Sequence, residues 1–358
     1  MNNMRALIGM SGGVDSSVAA LLMKRSGYEC IGATMRLYDN PTEESTCCSL
    51  EDVEDARAVA MRLGIRHYAF NFTEDFDRQV MRRFADSYER GLTPNPCIDC
   101  NRYLKFDRLL RRALELGCDW VVTGHYARIR QAAGRYLLCK AVDVTKDQTY
   151  FLACLSQEQL SHIQFPLGGL TKTQVRQIAA ENGFDALFVN ARKRDSQDIC
   201  FVPGGDYGEF LQRYTGKVYP QGDFLDLQGN VVGHHRGTPC YTKGQRKHLG
   251  LAMGAPVYVC AKDMTRNTVT VGPNEALFSP ALRANDWCWY PFEVLTEPMK
   301  VTVKTRHSQF EQPARVYPEE KGFARVEFDS PQRAVTPGQA VVLYDGDVVV
   351  GGGTITEA

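Results

Sequence analysis

Two groups of residues in this chain have the types and spacing to do chemistry. The first is Ser11-Gly12-Gly13-Val14-Asp15-Ser16, set between an apolar run and a helix-patterned run. A strand, a glycine-rich turn and a helix together make a backbone cradle for phosphate. Glycine tolerates positive φ and lets the main chain close on an anion, and the helix N-terminus adds unpaired N–H donors and a partial positive charge. Ser11, Ser16 and Ser17 add hydroxyl donors, whereas Asp15 would repel phosphate and makes sense there as a ligand of Mg²⁺. The second group is thiols. Cys97 and Cys100 form a Cys-x-x-Cys pair within Thr93-Pro94-Asn95-Pro96-Cys97-Ile98-Asp99-Cys100-Asn101, and Cys200 follows Asp195-Ser196-Gln197-Asp198-Ile199. Two prolines stiffen the first segment, which reads as a loop between helices. The helix N-terminus after it, with Arg102 and Lys105, would lower a thiol pKa. Such a pair suits metal or redox chemistry, with a pair of buried apolar thiols as the alternative. Cys200 reads as the end of a strand after a basic run.

The rest of the chain restricts what these groups can serve. Its 358 residues carry 42 basic and 42 acidic side chains for a formal net charge of +0, with 44% hydrophobic and 23% charged residues. That is the composition of a soluble globular protein of two or three domains. No run approaches the ~18 apolar residues of a membrane span, and MNNMRALIGM lacks a basic stretch followed by an apolar core. The expectation is a cytoplasmic protein with no membrane partner. The twelve cysteines lack the spacing of a disulfide scaffold. Cys30, Cys118, Cys139, Cys154, Cys240, Cys260 and Cys288 read as small buried hydrophobes, and Cys47-Cys48 stays ambiguous. Zero net charge argues against a histone-like partner but permits a basic stripe, for which Arg192-Lys193-Arg194, Lys243 to His248, Lys304 and Arg306 are the candidates. His67, His234 and His235 have no cysteine or carboxylate at ligand spacing and read as non-ligands.

The elements that must position these groups change character along the chain. Strands are expected at Arg5 to Met10, Cys30 to Leu37, His67 to Phe72 and Trp120 to Ile129. Helices are expected at Ser16 to Lys24, from Ser49 to Gly64, at Asp75 to Glu89 and at Tyr103 to Leu116. That alternation implies βαβ units and a parallel sheet, hence an α/β fold. After about residue 205 the pattern becomes short strands between Gly and Pro, with hairpins around Gln228-Gly229-Asn230 and Thr265-Arg266-Asn267. A small β-rich domain followed by a β-barrel is expected, joined at a Phe278-Ser279-Pro280 turn, with Gly351-Gly352-Gly353 as a bulge or loop. The expected domains are 1–204, 205–278 and 279–358.

The glycine-rich string resembles the PP-loop of the ATP pyrophosphatase class, whose members cleave ATP between the α and β phosphates and adenylate a carbonyl oxygen. SGGVDS, NPCIDCN with Lys105-Phe106 after it, TGHYAR (Thr123 to Arg128), KDQTYFL (Lys146 to Leu152), SQDICFV (Ser196 to Val202), GQRKHLG (Gly244 to Gly250) and TPGQAVVLYDGDVVVGGGTI (Thr336 to Ile355) occur in the order found in the bacterial tRNA-specific 2-thiouridylases. The resemblance covers essentially the whole chain. It implies an N-terminal PP-loop domain, a small β-rich central domain and a C-terminal β-barrel that binds tRNA. By the same match Gly9, Met10, Ser11, Gly12, Gly13, Val14, Asp15, Ser16, Met35 and Gly124 form the ATP site. Cys200 carries a persulfide, Cys100 is its nucleophilic partner, and the two can form a disulfide after sulfur release. Asn95, Pro96 and Cys97 meet the target base, and His125, Lys146, Asp147, Gln148, Arg306, His307 and Gln339 contact tRNA. The implied reaction is ATP-dependent adenylation of the C2 oxygen of the wobble uridine and its replacement by sulfur, supplied by a persulfide donor such as a cysteine desulfurase or a sulfur relay protein.

Many members of that family carry Asp where this chain has Cys97. Three thiols at 97, 100 and 200 could instead ligate a 4Fe-4S cluster with one open iron. The persulfide route is preferred, with the cluster as its alternative. The competing readings are a small-molecule synthetase of the PP-loop class, which would have no use for the thiols or the barrel, and a nucleotide- or RNA-binding module without catalysis.

Overall fold

The computed structural model describes residues 4–38, 50–184 and 199–358. Among the described residues seven strands lie in the first half: β1 (Arg5–Gly9), β2 (Glu29–Arg36), β3 (Arg66–Asn71), β4 (Trp120–Val122), β5 (Arg128–Ala132), β6 (Arg135–Cys139) and β7 (Ile163–Gln164). Five of them form a parallel sheet in the order β3-β2-β1-β4-β7. Alternation along β1 sends Leu7 to one face and Ala6 and Ile8 to the other, each fully buried in a different apolar cluster. Helices Val14–Arg25, Leu50–Leu63 and Lys172–Glu181 cover the second face. The helical stretches over 73–89 and 96–115 cover the first. A sheet buried on both faces has near-continuous apolar strands, which is why RALIG and ECIGATMR are legible as strands.

Three expectations for this half are corrected. The strand at Trp120 ends at Val122, and residues 123–127 leave the sheet because Gly124 must pass close over the start of helix Val14–Arg25. The chain then forms the β5–β6 hairpin, which joins the C-terminal sheet through Val348 opposite Cys139. The segment at Thr93 is loop only as far as Asn95. Asn95 caps a helix that begins at Pro96, a residue suited to the first helical position because it lacks an N–H. Cys200 lies in a turn closed by Val202 N–H to Ile199 O at 2.9 Å, not at a strand end.

The middle of the chain forms β8 (Gly222–Leu225), β9 (Val231–His235), β10 (Tyr258–Asp263) and β11 (Thr268–Gly272) around Phe224, Tyr241, Val259 and Val269. Both expected hairpins are present. The last six strands are β12 (Phe278–Trp289), β13 (Met299–Lys304), β14 (Gln312–Pro318), β15 (Ala324–Arg333), β16 (Ala340–Asp345) and β17 (Val348–Glu357). They close into an antiparallel barrel through the β12–β17 pairing. Phe278-Ser279-Pro280 is therefore not a turn but the start of β12. Pro280 is accommodated where the β12–β15 register slips between Ser279 and Ala281. Gly351 to Gly353 are strand interior and not a loop, and the register slips beside them against both neighbouring strands, as the bulge reading expected. A Cβ on them would come within 2.6 Å of Trp289, 2.4 Å of the Ala153 carbonyl and 2.7 Å of Trp287, so glycine is what lets the strand pack there.

Among the described residues no helix is long and apolar enough to cross a membrane. Cys30, Cys118, Cys139, Cys154 and Cys240 are buried, and Cys260 and Cys288 are half-buried. Burial pushes the Cys30 thiol up to about 11. Cys47-Cys48, Ser49, Arg192-Lys193-Arg194 and Asp195 to Asp198 lie outside the described residues.

Candidate active site

The strand order reverses between β1 and β4, and ligands of open parallel sheets sit outside the carboxyl ends of the strands at such a point. A cleft of about 220 Å³ opens there. It is lined by Gly9, Met10, Ser11, Asp15 and Ser16 after β1, Thr34 and Met35 of β2, Asp52, Lys105, and Thr123, Gly124 and His125 after β4, with Gln148 across the mouth. The loop is drawn tight by its own hydroxyls. Ser16 Oγ and Ser17 Oγ both donate to Gly13 O (3.0 and 2.9 Å), and the Ser11 N–H donates to Ser16 Oγ at 3.2 Å. Gly12 has φ +72°, and a Cβ on it would lie 2.6 Å from the Asp52 carbonyl. A Cβ on Gly124 would lie 2.9 Å from the backbone of Asp15 and Ser16. Gly12, Gly13 and Val14 form the cradle behind the wall and do not themselves line the cleft.

Asp15 is held from two sides. Lys172 Nζ donates to its two carboxylate oxygens at 2.9 and 2.7 Å, and the Tyr126 hydroxyl donates to Oδ1 at 2.8 Å. A carboxylate beside the hydroxyls of Ser11 and Ser16 is a hard oxygen donor set, which fits Mg²⁺ carried on a nucleotide phosphate. His125 sits between Phe106 and Phe165 with Nδ1 2.7 Å from Thr123 Oγ1. Burial beside Lys105 holds its pKa well below the usual histidine value, so it meets a ligand as a neutral imidazole.

The thiols lie at the other end of the helix that supplies Lys105. Asn95 Oδ1 accepts from the Cys97 N–H at 3.2 Å. Cys97 is exposed on this first turn, while Cys100, one turn on, is buried where the helix widens into π geometry over Cys100–Arg108. Five residues of helix, roughly 7 Å of rise, separate Cys100 from Lys105 at the cleft wall. Cys200 packs against the apolar cluster to which Cys100 belongs. Its carbonyl accepts from the Tyr38 hydroxyl, close after β2, and Phe201 is wedged edge-on against Phe76 and Phe84. Both thiol segments thus pack against one apolar cluster, on the face of the sheet that carries helix 96–115. Among the described residues no group of three His, Cys, Asp or Glu side chains is placed to hold a metal ion. Cys97, Cys100 and Cys200 are thus not gathered into a ligand set for a cluster.

Residues 4–204 match the tRNA methyl transferase HUP domain family, 208–273 the tRNA methyl transferase PRC-barrel domain family and 279–355 the aminomethyltransferase β-barrel domain family. The tRNA-specific 2-thiouridylase MnmA of Acetivibrio thermocellus is 50% identical over 99% of this chain and 100% of its own length. The MnmA of Halothermothrix orenii is 49% identical over 99% of both chains, and that of Symbiobacterium thermophilum 50% identical over 99% of this chain and 92% of its own. The chain belongs to the MnmA family of tRNA-specific 2-thiouridylases.

Within this MnmA-family chain the remaining expected residues gather at the seam between barrel and sheet domain. Gln339 Nε2 donates to the carbonyls of Thr93 and Pro94 at 3.0 and 3.4 Å, and the Thr93 N–H donates to Pro337 O. The barrel therefore grips the segment that leads into Asn95 and Pro96. His307 stacks on Phe151 with ring centres 4.3 Å apart, and Arg306 donates to Ala334 O at 2.6 Å. Gln148 accepts from the Tyr126 N–H at 2.9 Å. Asp147 is turned inward, accepting from the Ala141 N–H and the Thr149 hydroxyl, and burial raises its pKa. Lys146 is half-exposed beside it. Of these seam residues only Gln148 reaches the cleft; Lys146, Asp147, Arg306, His307 and Gln339 do not line it. Sequence reasoning gave no part in the cleft to Thr34, Asp52, Lys105, Thr123, Tyr126 or Lys172. Lys172 carried a readable signal. Thr171 and Gln174 form a capping box, and a lysine at the first position of a helix opposes the helix dipole, so its charge needs another use.

Proposed function

We propose that this protein makes 2-thiouridine at the wobble position of tRNA in the cytoplasm, using ATP and a persulfide supplied by a donor protein. The observation that supports the reading is a glycine-rich cleft at the ends of the parallel strands, with two thiol segments packed against one apolar cluster of the same domain, in a chain of the MnmA family. ATP would lie with its phosphates on Gly12 to Ser16. Asp15, with Ser11 and Ser16, would hold Mg²⁺, which when bound screens the phosphate charge. An unpaired anticodon base is cheap to splay out, and Asn95, Pro96 and Cys97 would receive it.

The uridine O2 attacks the α-phosphorus, pyrophosphate leaves, and O2 carries AMP. The backbone N–H groups of the loop stabilise charge gathering on the pyrophosphate. The terminal sulfur of a Cys200 persulfide then attacks C2. Cys100 as thiolate attacks the Cys200 sulfur, breaking the S–S bond as AMP departs with its oxygen, so C2 keeps the sulfur and Cys100–Cys200 is left as a disulfide. A thiol reductant restores both cysteines. His125, neutral and anchored by Thr123, would line the base site without adding charge.

Nucleoside mass spectrometry of tRNA incubated with the protein, ATP, Mg²⁺ and a persulfide-loaded donor tests the reading. 2-Thiouridine is expected, and is expected to vanish with Cys200→Ser. ATP–pyrophosphate exchange driven by a small acid and indifferent to tRNA would overturn it in favour of a small-molecule synthetase. Stoichiometric iron in anaerobically purified protein, lost on Cys97→Ser, would overturn the persulfide route in favour of a cluster.

A further inference from the structure

Phe310 is the most exposed aromatic side chain among the described residues, with 87% of its surface open. A lone exposed apolar residue is ordinary on a protein surface. This one is distinguished by how it is held and by what surrounds it. It sits on the loop between β13 and β14, and that loop is stapled from within. Gln309 Oε1 accepts from the N–H and the hydroxyl of Thr305 (3.1 and 2.8 Å), and Gln309 Nε2 donates to Gln332 Oε1 at 2.8 Å. The Gln309 N–H closes back on Arg306 O at 3.2 Å, and Gln312 Nε2 donates to Phe310 O at 3.3 Å. The backbone on both sides of the ring is fixed, so a planar partner meets a surface already ordered, which lowers the entropy lost on binding.

Cationic residues stand at the base of this loop, Arg306 within it and Arg333 next to Gln332, to which Gln309 is bonded. Arg306 donates to neutral acceptors, Ala334 O and Thr336 Oγ1, and Arg333 donates to Asn274 Oδ1, so these bonds neutralise neither charge. The loop carrying Lys243 and Gly244 abuts both guanidinium groups, for a Cβ on Gly244 would lie 3.6 Å from one and 3.7 Å from the other. The acidic residue next to Phe310, Glu311, is paired with Lys140 at 2.5 Å. The same loop leads back to the cleft: His307, three residues before Phe310, stacks on Phe151, which lies within a helical turn of Gln148 at the cleft mouth.

An exposed ring on a rigid loop at the border of a cationic seam has the parts of a single-stranded nucleic-acid site, in which cations hold phosphate and an aromatic face stacks a base. We infer that Phe310 stacks on an unpaired base of the RNA substrate and anchors it while another nucleotide occupies the cleft. This inference rests on the proposed tRNA substrate and adds a contact that the family motifs do not mark.

The test compares Phe310→Ala, Phe310→Leu and Phe310→Trp for tRNA affinity, the salt dependence of that affinity, and ATP affinity. Phe310→Ala and Phe310→Leu are expected to bind tRNA roughly tenfold to a hundredfold more weakly, and Phe310→Trp to bind it at least as well as the native chain. The slope of log affinity against log salt should not change, because no phosphate contact is lost. ATP affinity and melting temperature should also stay put. Native tRNA affinity in the Ala variant, or full rescue by Leu, would overturn the inference while leaving thiolation by the native protein intact. A native protein that forms no 2-thiouridine would instead overturn the proposed function.

Discussion

The nucleotide cleft and the thiol site differ in how they are built. Five of the thirteen residues that line the cleft come from one string at the end of β1, the largest share from any one segment, and that string is tightened by hydroxyl bonds that span three to five residues. The thiol site draws on segments a hundred residues apart. Cys100 is buried on a helix and Cys200 is held in a turn by its carbonyl and by Phe201. The first is a property of local backbone geometry and the second of how two remote pieces pack on one core. Damage to the cleft should therefore act through ATP, and damage to the thiols should leave ATP alone.

Cys200→Ser is the most severe way to test this separation. Thiolation should fall on the order of 10⁴-fold or more, with ATP affinity unchanged in a direct binding titration. If ATP affinity fell as well, the two regions would not be separable. Asp15→Asn should act in the opposite sense, lowering pyrophosphate release by roughly 10²- to 10³-fold while a persulfide still loads on Cys200. Gly124→Ala pushes a methyl group to within 2.9 Å of the Asp15 and Ser16 backbone, and kcat/KM for ATP should drop about 10²-fold by steady-state kinetics.

Asp99 sharpens the comparison through pH. It lies one residue before Cys100, and burial raises its carboxyl to about 6 despite Arg83 at 3.5 Å. The folded value lies above the unfolded one, so its contribution to stability is complete below the unfolded pKa and is lost as pH rises through about 6. Asp99→Asn should then be more stable than the native chain at pH 7.5 by about 1–3 kcal/mol, and the gain should shrink towards pH 4 in thermal melts. A gain independent of pH would assign the effect to packing. The smallest change is expected for Gln339→Ala. Losing its bonds to Thr93 and Pro94 should raise KM for tRNA about three- to tenfold and leave KM for ATP unchanged.

Much of this was legible beforehand where the signal was local. Strands β1, β2 and β3 and both hairpins of the middle domain fall within a residue or two of the expected places, because alternation and turn residues act over short windows. The phosphate cradle was legible for the same reason. The misreadings are places where a distant contact overrode the local pattern. The strand at Trp120 is cut short by the approach of Gly124 to another helix, and the Phe278-Ser279-Pro280 joint is absorbed into a strand by a register slip. Three consecutive glycines that look like a loop are strand interior because Trp287, Trp289 and Ala153 press on them.

Residue types and their order alone determined the family, the α/β-then-β architecture and the cradle, since each is encoded by neighbours along the chain. Tertiary structure alone decided that Lys172 and Tyr126 hold Asp15, that the barrel grips Thr93 and Pro94, and that Cys100 and Cys200 share a core. These arrangements join residues a hundred or more positions apart, and no local window records which of many glutamines or cysteines the packing of the whole chain will bring together.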